Sequence, residues 1–148
     1  MSFGVGKLKD YKLKLHIDSE VALIAQKTRG VPFELQEKVT AKVGDLIAKD
    51  IVERVNEPTS LVSLVLIAPK GTGDIRLCLD MRKANEAIIR ERIPNPTVDE
   101  VLENLDGSAV FSKLDLRLRF HHIELDKDSR DITTFATHDG LFRYKRLS

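Results

Sequence analysis

An α+β domain is what the sequence predicts, and three features predict it. Helical and strand-like periodicities alternate along the chain, and the turn residues between strands are those of antiparallel hairpins. The strand–helix–strand rhythm of a parallel sheet does not occur. With 148 residues, 42% hydrophobic and 32% charged, the chain has the size and apolar content for one domain with a sizeable core.

The elements follow in order. Tyr11, Leu13, Leu15 and Ile17 alternate with Lys12, Lys14 and His16, the pattern of a half-buried strand. Arg29, Gly30 and Val31 lead into Pro32, whose fixed φ suits a first helical turn. Leu35, Val39, Val43, Leu46, Ile47 and Ile51 then recur every three or four residues, with Glu34, Glu37, Lys38 and Lys42 mostly opposite. That spacing predicts an amphipathic helix over 32–50. Gly44 weakens it by about 1 kcal/mol relative to Ala without ending it. After a loop through Glu57, Pro58, Thr59 and Ser60, the apolar, β-branched run 61–68 reads as a buried strand. Pro69, Lys70, Gly71, Thr72, Gly73 and Asp74 supply turn chemistry, and 75–79 is a second strand, so the two form a hairpin with a lysine-bearing tip. A polar stretch with a helical turn runs on to Arg92, and Pro94 and Pro96 break the chain. Thr97 caps a short helix, with Glu100 completing a capping box; Val98, Val101, Leu102 and Leu105 form its apolar face, and Gly107 stops it. Ala109, Val110, Phe111 and Leu114 make a strand pattern ending at Asp115, and alternation resumes at Ile123 and Leu125. Residues 132–136 and 141–144 flank the Asp139–Gly140 turn signal of a last hairpin.

Composition narrows the functional classes. Net charge is +1, so overall charge gives no argument for nucleic-acid binding. Basic residues cluster locally, at Lys7, Lys9, Lys12 and Lys14 and again at Arg143, Lys145 and Arg146, as solvated faces or as a binding patch. Cys78 is the single cysteine; it excludes an internal disulfide, fits a reducing compartment and reads as a small core residue. No apolar run approaches membrane-spanning length, the N-terminus lacks the apolar core of a signal peptide, and no Asn-x-Ser/Thr acceptor occurs. A cytoplasmic or nuclear protein is expected.

Several generic motifs fail on their chemistry. Gly71-Thr72-Gly73 lacks the Gly-Lys-Ser/Thr ending of a P-loop and sits in a hairpin. No Asp-Thr-Gly of an aspartic protease occurs. Asp126, Asp128 and Asp131 miss the glycine and the closing glutamate of a calcium loop. His16, His121, His122 and His138 lack the partners and spacing of a zinc site, and nothing supports a Ser-His-Asp triad.

One set of motifs remains. Phe111-Ser112-Lys113-Leu114-Asp115-Leu116-Arg117, then Phe120-His121, Thr134-Phe135 and Gly140-Leu141-Phe142-Arg143-Tyr144, follow one another in fixed order. Upstream, Lys70-Gly71-Thr72-Gly73-Asp74-Ile75-Arg76-Leu77-Cys78-Leu79-Asp80-Met81-Arg82 precedes Ala84-Asn85. Together these resemble the reverse transcriptase of gypsy-like LTR retrotransposons, part of the Pol polyprotein. The resemblance implies a partial right-hand polymerase fold of antiparallel hairpins with packed helices. Residues 1–31 would be a connecting segment and 32–148 a partial reverse transcriptase domain, with 32–106 fingers-like and 107–148 the start of the palm. It implies RNA-directed DNA polymerisation by a two-metal mechanism, with Mg2+ or Mn2+ as cofactor and dNTP and an RNA or DNA primer-template as partners.

The resemblance also implies roles. Asp115 matches the family's first metal ligand, and the Leu116 carbonyl is a further candidate ligand at the nucleotide. Lys70 and Arg76 match the hairpin cations that meet the triphosphate, since phosphate oxygens suit a lysine and a delocalised guanidinium. Phe120 stands where the family keeps an aromatic that packs under the sugar and excludes a ribose 2′-hydroxyl. Each residue also has a plain structural reading: Asp115 as turn former, Lys70 and Arg76 as exposed surface cations, Phe120 as core.

The pattern departs from the family in places. Arg119 stands at the usual Gly and His122 at the usual Gln, while Leu61-Val62-Ser63-Leu64 replaces a stretch that usually carries Trp and Pro. The Tyr-x-Asp-Asp hairpin that supplies the other two carboxylates is absent, and no adjacent Asp-Asp pair occurs anywhere. The expectation is therefore a truncated reverse transcriptase segment, inactive alone, or alternatively a non-catalytic nucleic-acid- or protein-binding remnant of a retroelement.

Overall fold

Pro32 opens the first helix by serving as its N-cap, and α1 spans Phe33–Ala48 with Val39 and Val43 buried. Its end is a Schellman turn. Asp50 adopts a left-handed conformation (φ 57°). Its N–H donates to the carbonyl of Ile47, and the N–H of Ile51 donates to that of Leu46, both at 2.9 Å. Aspartate tolerates this conformation better than most residues. The reversal turns Ile51 away from the helix and into the core, leading directly into β2, Val52–Val55. The computed structural model describes residues 5–22, 25–26, 30–71 and 73–148; Arg29 and Thr72 lie outside the described residues.

The remaining elements are β1 Lys12–Leu13, β3 Leu64–Pro69, β4 Ile75–Asp80, α2 Arg82–Ala87, α3 Val98–Leu105, β5 Glu124–Leu125, β6 Phe135–Thr137 and β7 Gly140–Tyr144. Helices and mostly antiparallel pairs mix, in agreement with the predicted α+β class. β7 lies between β2 and β6 in a three-stranded antiparallel sheet, β3 and β4 form a hairpin, and β1 runs parallel to β5. Ser63 joins hairpin to sheet, its N–H donating to the Thr134 carbonyl at 2.8 Å.

The main core lies where α1 meets the sheet and the hairpin. Val39, Val43, Ile51, Val52, Ile75, Phe135, Phe142 and Tyr144 are buried there, with Val65, Ile67, Leu77 and Leu79 packed against them. The Phe135 ring sits 5.9 Å from that of Phe142 and 5.6 Å from that of Tyr144. Phe135 and Phe142 are the largest fully buried side chains among the described residues. A second cluster gathers Leu61, Ala84, Ala87 and Ile132, where the small alanines let α2 come close.

Several sequence expectations shift. The helix ends at Ala48 rather than Asp50, and Ile51 belongs to the core after it. The 61–68 run splits: Leu61, Val62 and Ser63 are buried before the strand begins, whereas Leu66 within β3 is exposed. Only Lys12–Leu13 of the 11–17 pattern is a strand, and Ile17 makes an isolated bridge to Ile88. Of 132–136, Asp131–Thr133 forms a 3-10 turn and the strand starts at Phe135.

The largest correction concerns 109–114. These residues form no strand; Leu114 is 89% exposed, and no described strand pairs with the segment. A strand is a shared ladder, and apolar alternation without a partner does not make one. The capping box at Thr97 and Glu100 forms as predicted, with N–H donation from Thr97 to the Glu100 carboxylate at 2.7 Å. The apolar face it supports stays open, Leu102 being 58% exposed.

Candidate functional site

The five residues singled out from the sequence come from three places in the fold. Lys70 follows the last residue of β3, and its backbone closes the tip: the Lys70 N–H donates to the Asp74 carbonyl at 2.7 Å and the Gly73 N–H to the Lys70 carbonyl at 3.0 Å. Gly73 makes this turn with φ 80°, a conformation that suits glycine. Arg76 sits on β4, exposed, opposite Ala68. Asp115 and Leu116 lie in the exposed segment after α3, and Phe120 lies in a 3-10 turn, Arg119–His122.

The fold brings all five to one cleft of about 740 Å3. Its floor includes the buried side chains of Ile51, Ile75 and Tyr144. Five cationic side chains (Lys42, Lys49, Lys70, Arg76 and Arg119) stand around it against two carboxylates, Asp45 and Asp115. Asp45 is taken by Lys49, one helical turn on, at 2.6 Å. Among the described residues Asp115 and Arg76 make no ion pair or side-chain hydrogen bond, so both charges face the cleft uncommitted. The net positive wall and low-dielectric floor suit a polyanion with an apolar or aromatic part.

Phe120 is 49% exposed, on the cleft wall and not in the core. The Arg119 guanidinium lies over its ring, 4.7 Å from the centroid. The left-handed residue of this turn is Leu118 (φ 54°), one position before Arg119, so Arg119 itself needs no glycine-like conformation. His121 also lines the cleft and anchors the turn, its Nδ1 lying 3.0 Å from the Leu147 carbonyl.

The basic cluster at the end of the chain is committed to internal partners. Arg146 is buried; its Nε donates to the Asp50 carbonyl at 2.9 Å and its Nη1 to those of Gly6 and His121 at 3.0 and 3.1 Å. Arg143 pairs with Glu53 at 2.6 Å and also with Asp131, and Lys145 pairs with Asp50. The hydrogen bond from Lys145 holds the Asp50 carboxyl below the usual carboxylate range, outweighing the desolvation that opposes it. These cations staple the sheet and the helix end rather than forming a free patch. Sequence reasoning missed Lys42 and Lys49 as parts of the cleft. Lys42 lies on the polar side of α1 and Lys49 is its C-cap, and nothing local separates them from solvated lysines.

Two hard divalent ions need several oxygen ligands close together. Among the described residues no group of three His, Cys, Asp or Glu side chains is placed to hold a metal. Asp115 offers one carboxylate on the cleft, so these residues do not by themselves fit a two-ion centre.

No model of a known protein family matches the chain. The retrovirus-related Pol polyprotein of transposon 412 from Drosophila melanogaster is 35% identical over 141 residues, covering 93% of this chain and 11% of its own length. That of transposon 297, from the same organism, is 32% identical over 74% of this chain and 11% of its own length. The chain thus spans about a tenth of the curated relatives it matches. Among solved structures, prototype foamy virus protease-reverse transcriptase superposes with a TM-score of 0.77 at 20% identity, over 97% of this chain and 19% of that one. The foamy viral protein in complex with an RNA/DNA hybrid gives 0.74 at the same identity, over 97% and 19%. At this identity the structures share the fold.

Proposed function

The chain is homologous to a segment of the Pol polyproteins of gypsy-like LTR retrotransposons, and from that premise we propose that it forms the nucleotide-receiving part of a reverse transcriptase domain. Residues 32–106 act as fingers and 107–148 as the start of the palm, with 1–31 as a connecting segment. The cleft receives an incoming dNTP beside an RNA or DNA primer-template. Arg76 and Lys70 bind the triphosphate, Phe120 packs under the sugar, and Asp115 with the Leu116 carbonyl provides part of the oxygen ligation of Mg2+ or Mn2+. The observation that carries this reading is that one cleft collects Lys70, Arg76, Asp115, Leu116 and Phe120, residues drawn from the hairpin and from a segment well downstream.

Each role follows from chemistry. A guanidinium meets phosphate oxygens in a planar fork, while a lysine ammonium adds a point charge. Arg76 carries no internal partner among the described residues, so its charge is ready for a ligand. A single carboxylate does not hold two ions, so nucleotidyl transfer by these residues alone is not expected and no chemical step is assigned to them. The RNA/DNA hybrid and double-stranded DNA bound by the foamy viral neighbours support duplex binding here by analogy of fold.

Equilibrium binding of dATP to the 148-residue protein tests the reading. Arg76→Ala is expected to weaken affinity by at least about 10-fold, the cost of one charge-assisted phosphate contact. Unchanged affinity would remove the nucleotide from this cleft. Primer extension with Mg2+ or Mn2+ is expected to give no product. Extension that disappears in Asp115→Ala would overturn the expectation of inactivity.

A further inference from the structure

The tip of the hairpin carries an anion of its own. The Asp74 carboxylate lies 3.7 Å from the Lys42 ammonium of α1 and 3.8 Å from that of Lys70, so it stands between a cation of the helix and one of the hairpin. Lys38 reaches the same tip, donating to the Gly73 carbonyl at 2.9 Å. Lys42 and Lys70 both line the cleft, whereas Asp74 lies on the neighbouring surface that Lys38 and Lys42 also border.

We propose that Asp74 is a built-in counterion that a polyphosphate displaces, and that Lys42 of α1 is a third cation of the triphosphate site beside Lys70 and Arg76. This rests on the cleft being a triphosphate site and adds to it a helix residue and an internal competitor.

The geometry favours displacement. Distances of 3.7 and 3.8 Å are longer than a charge-assisted hydrogen bond, so both pairs act mainly through charge. All three side chains are partly exposed, where solvent weakens such pairs. A triphosphate carries several oxygens and more charge than one carboxylate, and it bonds both ammonium groups at shorter range. Asp74 also has a fixed anchor, because its Oδ1 accepts from the Ile75 N–H at 2.8 Å. That hydrogen bond, with help from Lys42 and Lys70, keeps the carboxyl below its usual range and therefore charged near neutrality. The anchor means that the anion stays at the tip while the lysines swing to the ligand. The pairing also ties the hairpin tip to α1 and so holds the cations close together.

The test is titration with inorganic tripolyphosphate in metal-free, low-salt buffer, with folding of each variant checked by circular dichroism. Asp74→Asn keeps the oxygen that caps Ile75 and removes the charge; it is expected to tighten binding about 3- to 10-fold. Lys42→Ala, a substitution that favours the helix, is expected to weaken binding by a similar factor. Arg76→Ala, expected to weaken binding, is the control for the cleft itself. If Arg76→Ala weakens binding while Lys42→Ala and Asp74→Asn leave it unchanged, the counterion proposal fails and the cleft reading stands. Weaker binding by Asp74→Asn would likewise overturn it, making Asp74 a structural part of the tip. If the unaltered protein does not bind tripolyphosphate, the cleft reading falls and the proposal falls with it.

Discussion

Replacing Arg146 with Met tests how the end of the chain is held. Arg146 is 5% exposed, and its guanidinium donates to four carbonyls from three segments, those of Val5 and Gly6, of Asp50 and of His121. Methionine preserves the stem and its packing but removes every donor. A buried acceptor left without a partner costs about 1–3 kcal/mol. Gly6 and Asp50 lie in exposed residues where water can replace part of the loss, whereas His121 is half-buried. The expected destabilisation is therefore about 2–4 kcal/mol rather than one full penalty per carbonyl. With a urea m-value of ~1–2 kcal/mol/M for a chain of this size, the unfolding midpoint should fall by about 1–4 M. Hydrogen exchange gives the local counterpart: the Leu8 amide, which donates to the His122 carbonyl at 2.8 Å, should lose protection first. Lys145→Met removes an exposed pair with Asp50 and should cost less than about 1 kcal/mol. If Arg146→Met costs no more than Lys145→Met, the buried fork is not what holds these segments together.

Three further outcomes are expected. Phe135→Ala, at a site 1% exposed, should cost about 3–5 kcal/mol in chemical denaturation, while Leu102→Ala on the open face of α3 should stay within about 0.5 kcal/mol. Thr97→Ala removes the capping box and should destabilise α3 by about 1 kcal/mol, visible as faster exchange of the Glu100 amide with little change in the global melt. Burial, with a smaller contribution from Cys78, pushes the Tyr144 hydroxyl up to about 12. Because the folded value is raised, its stabilisation is complete below pH ~10 and is lost as pH rises through about 12, by roughly 2–3 kcal/mol. Tyr144→Phe should flatten that alkaline slope, and an equal slope in both proteins would refute it.

What could be read in the sequence was what is decided locally. The Thr97 and Glu100 pair specifies its own helix start, and the four-residue spacing of Val39 and Val43 marks the buried side of α1. The turn chemistry from Lys70 to Asp74 forces β3 and β4 together. β2 was not legible: Val52 and Val55 flank Glu53 and Arg54 in too short a run, and its partner β7 is remote. The strand pattern at 109–114 misled for the converse reason, having local alternation but no ladder. Family motifs singled out Lys70, Arg76, Asp115, Leu116 and Phe120, but no spacing predicted that they share a wall with Lys42 and Lys49. The basic run at 143–146 looks like a surface patch until Glu53, Asp50 and Asp131 are seen opposite it.

The central position of β7 has a consequence for how this molecule comes into being. Val52–Val55 pairs with residues 141–144, and the main core joins Val39, Val43, Ile51 and Val52 to Phe135, Phe142 and Tyr144 from the far end of that long interval. Closing so large a loop costs roughly 4 kcal/mol in chain entropy before any contact offsets it. During synthesis, α1 and β2 leave the ribosome long before their partner is made. Through that interval Val39, Val43, Ile51 and Val52 lack Phe135, Phe142 and Tyr144 to bury them. Folding should therefore be slow and late, waiting on the emergence of β7.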